Sequence, residues 1–193
     1  MAKRACIVHG WGGSPTEGGF PWLKRELEAR GFRVVVLDMP DTDHPTISAW
    51  VARISKEVGI PDEETFLIGH SIGAQAVIRY LEKIASRIGG AVLVAGWVTL
   101  TPAAYAGEGD EEIARPWLET PIDWAKARSH AGRFTAIFSD NDPFVPLSDA
   151  EVFRKNLGAK IIIEPGKGHF SGDDGITELP SVRDAVLEHA AVV

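Results

Sequence analysis

Cysteine is almost missing from this sequence: Cys6 is the single one in 193 residues. An internal disulfide is therefore impossible, and Cys6, set in an apolar run, reads as a buried structural thiol rather than a reactive one. Long apolar runs are missing as well. The stretch behind Lys3 and Arg4 ends at His9, too short for a signal peptide, and no later run is long enough to span a bilayer. A cytoplasmic protein with no membrane partner is the expectation. Positive charge is scarce: 20 Lys and Arg against 27 Asp and Glu leave a formal net charge of −7. That balance argues against a general affinity for nucleic acid. Repeats, low-complexity tracts and linkers are absent too, so residues 1–193 read as one domain with room for a substantial core.

What the chain does contain is a regular alternation of β-type and helical patterns. Strand-like runs occur at Lys3 to Val8, Arg33 to Leu37, Thr65 to Ile68, Gly90 to Val94, Phe134 to Phe138 and Lys160 to Glu164. Helical spacing of apolar residues fills most of the gaps. Trp22, Leu23 and Leu27 mark one helix, and Ile47, Trp50, Val51, Ile54 and Val58 mark another with Thr46 as its N-cap. Ser148 and Glu151 suit a capping box, and a last helix is predicted from about Pro180 to Ala191. Such alternation predicts an α/β three-layer sandwich around a six-stranded, mostly parallel sheet with right-handed crossovers. Residues 97–132 break the rhythm with Pro102, Pro116 and Pro121 and read as a small cap-like insertion.

The stretch Thr65-Phe66-Leu67-Ile68-Gly69-His70-Ser71-Ile72-Gly73-Ala74 organises the rest. A buried strand leads in, and Ala76, Val77, Tyr80, Leu81 and Ile84 follow at helical spacing. The Gly-x-Ser-x-Gly between them is a sharp strand-to-helix turn that holds a serine hydroxyl above the end of a sheet. Small residues are needed at both flanking positions because the serine backbone is strained. The helix behind Ser71 directs free N–H groups and its positive dipole end at any anion formed there.

In parallel sheets ligands bind beyond the carboxyl ends of the strands. Four loops lie at those ends: His9–Gly13, His70–Ile72, Asp140–Pro146 and Gly166–Phe170. A serine needs a base and the base needs an orienting acid. Of six histidines, His169 sits in a glycine-flanked loop past the last strand, free to turn toward Ser71. The acid comes from Asp140 or Asp142; Asp142 is preferred, since it precedes Pro143 and is held in an extended loop. The loop after the first strand can present the N–H of Trp11 or Gly12 to an oxyanion, with Ile72 supplying the second. His9 reads as a residue that shapes this loop, and His70 as one that lines the site. His44 with Asp41 and Asp43 reads as a polar loop; no metal site or cofactor is expected. Trp97, Trp117 and Trp124 are either core or part of a cap, and we expect their segment to roof a small apolar pocket beside Ser71.

These residues together carry a resemblance that spans nearly the whole chain. The opening strand with His9-Gly10-Trp11, the Gly69-His70-Ser71-Ile72-Gly73 turn, Ser139-Asp140-Asn141-Asp142-Pro143-Phe144-Val145-Pro146 and Gly168-His169-Phe170 are similar to those of one group of α/β-hydrolases. That group is the small serine hydrolase family that includes retinoblastoma-binding protein nine and its bacterial relatives. The resemblance implies the α/β-hydrolase fold, a small cap and a triad of Ser71, Asp142 and His169. Unlike larger α/β-hydrolases, the chain starts directly at the oxyanion strand with no hairpin before it. The expected activity is hydrolysis of small carboxylic esters through an acyl-enzyme, by a monomer or homodimer. Amide or peptide hydrolysis, or acyl transfer, by the same residues is the alternative within the fold. A protein-binding module on a hydrolase scaffold is the alternative outside enzymology.

Overall fold

The computed structural model describes residues 3–191. Six strands form one sheet: β1 (Arg4–Val8), β2 (Arg33–Val36), β3 (Thr65–His70), β4 (Gly90–Val94), β5 (Phe134–Ser139) and β6 (Lys160–Glu164). Their order is β2-β1-β3-β4-β5-β6, and every pairing is parallel, not mostly so. Among the described residues six α-helices lie between them, α1 (Phe20–Glu28), α2 (Ile47–Val58), α3 (Ile72–Leu81), α4 (Asp110–Glu119), α5 (Trp124–Ser129) and α6 (Asp149–Leu157), and α7 (Pro180–Ala190) follows the last strand.

The strands are apolar on both faces because both faces are covered, and the period of two sorts their side chains between two cores. Cys6, Val8, Leu67, Leu93 and Phe138 point into the layer of α2, α3, α5 and α6. Ala5, Ile7, Phe66, Ile68, Val92 and Ile137 point the other way, onto α1 and α7. Cys6 is 4% exposed, and burial pushes its thiol up to about 11, which fits the structural role expected of it. Thr46 caps α2 by accepting from the Ala49 N–H at 3.4 Å.

The capping box at α6 does not form. Ser148 is already helical at φ −59° and ψ −26°, whereas a capping residue must be extended to turn its hydroxyl onto the helix. Glu151 pairs instead with Arg154 at 2.7 Å, and buried Asp149 turns away to bind the segment after β4. The topology fixes where a site can lie. Strand order reverses between β1 and β3, so the loops after these two strands flank the crevice at the switch point.

Candidate active site

Ser71 sits between β3 and α3 at φ 55° and ψ −124°, a conformation that costs a non-glycine residue about 1–3 kcal/mol. Its N–H bonds the Val94 carbonyl at 2.9 Å, which pins the turn to the neighbouring strand. Close packing explains both flanking glycines. A Cβ on Gly69 would come within 2.6 Å of the Ala74 Cα, and one on Gly73 within 2.5 Å of the Val8 and His9 carbonyl oxygens. Only three other non-glycine residues among those described have positive φ: Asp41, Ala95 and Phe170. Ala95 follows β4 and Phe170 follows His169, so the strained backbone clusters around the crevice.

The loop after β5 is held by its own side chains. Asp142 Oδ1 accepts the N–H groups of Phe144 (2.9 Å) and Val145 (3.1 Å), and Oδ2 lies 2.8 Å from His169 Nδ1. The Asp142 side chain is 3% exposed and that of His169 12%, so the pair is shielded from water. Ser139, Asp140 and Asn141 clamp the loop that carries the histidine. Asp140 accepts from Gly166 N–H at 2.8 Å, Ser139 from Lys167 at 2.9 Å and Asn141 from Gly168 at 2.8 Å. Asp174 accepts from the His169 N–H at 2.9 Å and from Ser171. Burial alone would raise the Asp174 carboxyl, but these donors hold it below its usual range.

Ser71 and His169 line one cleft of about 390 Å³ with His70, Trp97, Leu100 and Phe144, and with the glycine-rich loop after β1. His9 shapes that loop, as its sequence setting suggests. Met39 donates to Nε2 at 3.4 Å, which leaves the proton on Nδ1 for the Gly10 carbonyl at 2.9 Å. Of the two N–H groups offered by the loop, that of Gly12 is taken: it bonds the Thr42 carbonyl at 2.8 Å. The Trp11 and Ile72 N–H groups have no partner among the described residues. The Gly12 N–H is thus not free for the oxyanion role expected of it from sequence.

His70 does more than line the cleft. Its Nε2 lies 2.7 Å from the His169 carbonyl oxygen, which can only accept, so Nε2 carries the proton. Nδ1 is buried without a partner. Burial, then the nearby His169, pushes His70 down to about 3, and burial pushes His189 on α7 down to about 4. Both are neutral when folded and take up protons once unfolded. The unfolded state therefore binds more protons below 6.5, and stability must fall as pH drops from there toward 4. Thermal melts across that window are expected to show this slope. His70→Gln, which keeps a donor at the Nε2 position, should flatten it; an unchanged slope would remove His70 from the account.

The insertion is only partly a roof. Trp97, Leu100, Ala104 and Asp110 line the cleft. Gln75 holds Trp97 through its carbonyl at 3.0 Å, and buried Asp149 holds Val98 and Thr99 at 2.7 and 2.9 Å. Trp117 and Trp124 do not line the pocket, contrary to the expectation from sequence. Trp117 is 1% exposed, packs edge-on against Trp50 at 6.1 Å and donates to the Pro45 carbonyl at 2.9 Å. The buried Arg79 guanidinium binds the carbonyls of Trp117 and Thr120 at 3.0 and 2.8 Å, drawing the end of α4 onto α3. Trp124 packs on Phe153 at 6.0 Å. Trp117→Ala should accordingly lose about 3–5 kcal/mol of stability. Substrate selectivity, compared across an ester series at a temperature where the variant stays folded, should not move.

Asn141, Asp174 and Asp149 carry the loops around the site, and none stood out in the sequence. Their signal was the polar, turn-prone composition that many loops share. His44 lies 3.4 Å from Asp41 in an exposed pair, and among the described residues no cluster of three or more His, Cys, Asp or Glu is placed to hold a metal. Nor is any helix there long and apolar enough to cross a membrane.

Comparison with known proteins agrees on the architecture. A family model described as serine hydrolase matches residues 5–188. YdeN of Bacillus subtilis strain 168 is 30% identical over 191 residues, covering 98% of this chain and 97% of its own. The crystal structure of the ydeN product aligns with a TM-score of 0.89 at 29% identity, covering 98% of this chain and 99% of that one. Serine hydrolase RBBP9 of Rattus norvegicus is 31% identical over 176 residues, 89% of each chain. Est1E from Butyrivibrio proteoclasticus shares the fold at a TM-score of 0.74 and 17% identity, covering 98% of this chain and 89% of that one. The six-stranded sheet with its flanking helices is the α/β-hydrolase fold.

Proposed function

The chain belongs to the serine hydrolase family, and from that premise we propose that it hydrolyses small carboxylic esters through an acyl-enzyme on Ser71. The observation that carries this reading is the Asp142–His169 pair at 2.8 Å. The carboxylate takes the Nδ1 proton, so Nε2 is the bare nitrogen, and it makes no hydrogen bond among the described residues. His169 opens on the same cleft as Ser71.

In the proposed reaction, the Ser71 hydroxyl oxygen forms a bond to the ester carbonyl carbon as its proton passes to His169 Nε2. The carbonyl oxygen becomes an oxyanion. The Trp11 and Ile72 N–H groups receive it, helped by the N-terminal end of α3. Imidazolium forms beside the buried Asp142 carboxylate, which stabilises that charge and keeps the ring oriented. Collapse of the intermediate breaks the bond to the alcohol, and the Nε2 proton leaves with it. Water then repeats the cycle on the acyl group: His169 removes its proton, the carboxylic acid departs and Ser71 is restored. Every proton moved goes through one nitrogen. No cofactor is called for.

Substrate size follows from the walls. Trp97, Leu100 and Phe144 make an apolar lining around a space of about 390 Å³, which suits a short or aromatic acyl group. A series of nitrophenyl esters should turn over fastest at short chain length, without activation by an oil–water interface. Trp97→Ala should shift the optimum to longer chains by opening space behind the cleft wall that Trp97 helps to form. A long-chain optimum in the unmodified protein would contradict this assignment of the pocket.

A further inference from the structure

A second hollow of about 390 Å³ opens at the opposite end of the sheet, where β4, β5 and β6 begin. Strands of this length, rising about 3.3 Å per residue, set it roughly 15 Å or more from the loop of Ser71. Five separate parts of the chain meet there, and they bring four cations: Arg87 after α3, Arg128 from α5, Arg133 before β5 and Lys160 from β6. The only carboxylate on the lining is Glu188 of α7. It is taken up by Lys160 at 2.6 Å.

The three guanidinium groups are different. Among the described residues none of Arg87, Arg128 or Arg133 has a carboxylate within ion-pair distance, or a hydrogen bond to any other group. Most other surface arginines are paired, such as Arg53 with Glu57, Arg154 with Glu151, and Arg183 with Glu26 and Asp184; Arg25 and Arg33 are the exceptions among the described residues. In a chain of net charge −7, an unneutralised knot of cations around a hollow stands out against the average. The backbone holds it in place. A bridge between Ile88 and Ala131, with Gly132 donating to the Ile88 carbonyl at 2.9 Å, ties the segment of Arg87 to that of Arg133. Arg128 lies over Gly158, where even an added Cβ would meet its Nη2 at 3.1 Å.

The floor is polar as well. Thr135 Oγ1 lies 2.9 Å from His189 Nε2, and both residues are buried. His189 is neutral, and its Nδ1 is enclosed without a partner. With the proton on Nε2 the ring donates to Thr135 and leaves Nδ1 bare, so no buried N–H goes unpaired. The Thr135 hydroxyl hydrogen is then free for an acceptor in the hollow.

We propose that this hollow binds a small, multiply charged phosphate compound, a diphosphate or phosphate ester. Guanidinium groups arranged as forks match phosphate oxygens two at a time, and three around one space suit a ligand with at least two negative charges. Concave walls favour a free small molecule over a flat lipid surface.

The test is calorimetric titration of the intact protein with pyrophosphate, citrate and phosphatidylserine vesicles at fixed ionic strength. Pyrophosphate is expected to bind with a stoichiometry of one, and to bind equally well after Ser71 has been blocked by a fluorophosphonate. Arg87→Gln and Arg133→Gln should each weaken binding by about tenfold or more, as loss of a charge-assisted hydrogen bond implies. Glu188→Gln removes the opposing carboxylate and frees Lys160, so it should strengthen binding several-fold. These positions are exposed, and thermal melts check that each variant remains folded. The proposal is overturned if pyrophosphate does not bind at millimolar concentration or if the arginine variants bind as tightly as the parent. It is equally overturned if blocking Ser71 abolishes binding, if citrate binds as well as pyrophosphate, or if only the vesicles bind.

Discussion

Ser71→Ala is expected to lower ester turnover by roughly 10⁶-fold, the loss seen when a triad loses its nucleophile. The variant is a clean one. Serine at this turn already carries the strain of φ 55°, and alanine inherits the same backbone with the same Cβ. Ser71 holds its neighbours through its N–H to Val94 and its carbonyl to the Ala74 N–H, both of which alanine keeps. Melting should therefore change by no more than about 1 kcal/mol while activity collapses. An activity loss below about a hundredfold, checked by progress curves at high enzyme concentration, would leave Ser71 a helix-capping residue and nothing more.

Asp142→Asn should cost on the order of 10⁴ in turnover, through the wrong tautomer rather than through lost charge alone. The hydrogen bonds dictate this. Oδ1 accepts from the Phe144 and Val145 N–H groups, so an asparagine must place its carbonyl oxygen there. Its NH₂ then points at His169 Nδ1, which can no longer carry a proton. The proton moves to Nε2, and the nitrogen facing the cleft loses the lone pair that would take the serine hydrogen. Asp140→Asn offers the contrast within one loop. Asp140 accepts a single bond from the Gly166 N–H, which an amide oxygen accepts equally well, so its effect should stay within about tenfold. Both variants should be assayed across pH. A reversed order of effects would move the orienting role to Asp140.

The architecture was legible because its signals are local. Period-two strands, a β-branched run at 33–36 and glycines bracketing Ser71 each carry their own physical reason. The loops at the carboxyl ends of the strands brought Asp142 and His169 forward for the same reason. Composition could not say which wall an apolar side chain joins. Trp117 had to be buried, but its indole finds Pro45 and Trp50, far back in the chain, and its helix is drawn there by Arg79. Trp97 lies only a few residues beyond β4, and proximity to the sheet end kept it at the cleft. Gly12 was a plausible donor until Thr42 came within 2.8 Å of its N–H. Ser148 met every local rule for a cap, yet the turn before α6 had already taken a helical conformation. For Trp117 and Gly12 a contact across the fold overrode a local preference, whereas at Ser148 one local conformation displaced another.

Labelling with a fluorophosphonate probe, followed by peptide mass spectrometry, tests the central assignment most directly. The probe reacts only with a serine whose hydroxyl is activated by a base and whose oxyanion is stabilised, so it reads Ser71, His169 and the N–H donors together. One adduct per chain is expected, on the peptide that carries Ser71. It should vanish in Ser71→Ala and form far more slowly in Asp142→Asn. An adduct on any other serine, labelling retained in Ser71→Ala, or no labelling of the folded protein would contradict the account.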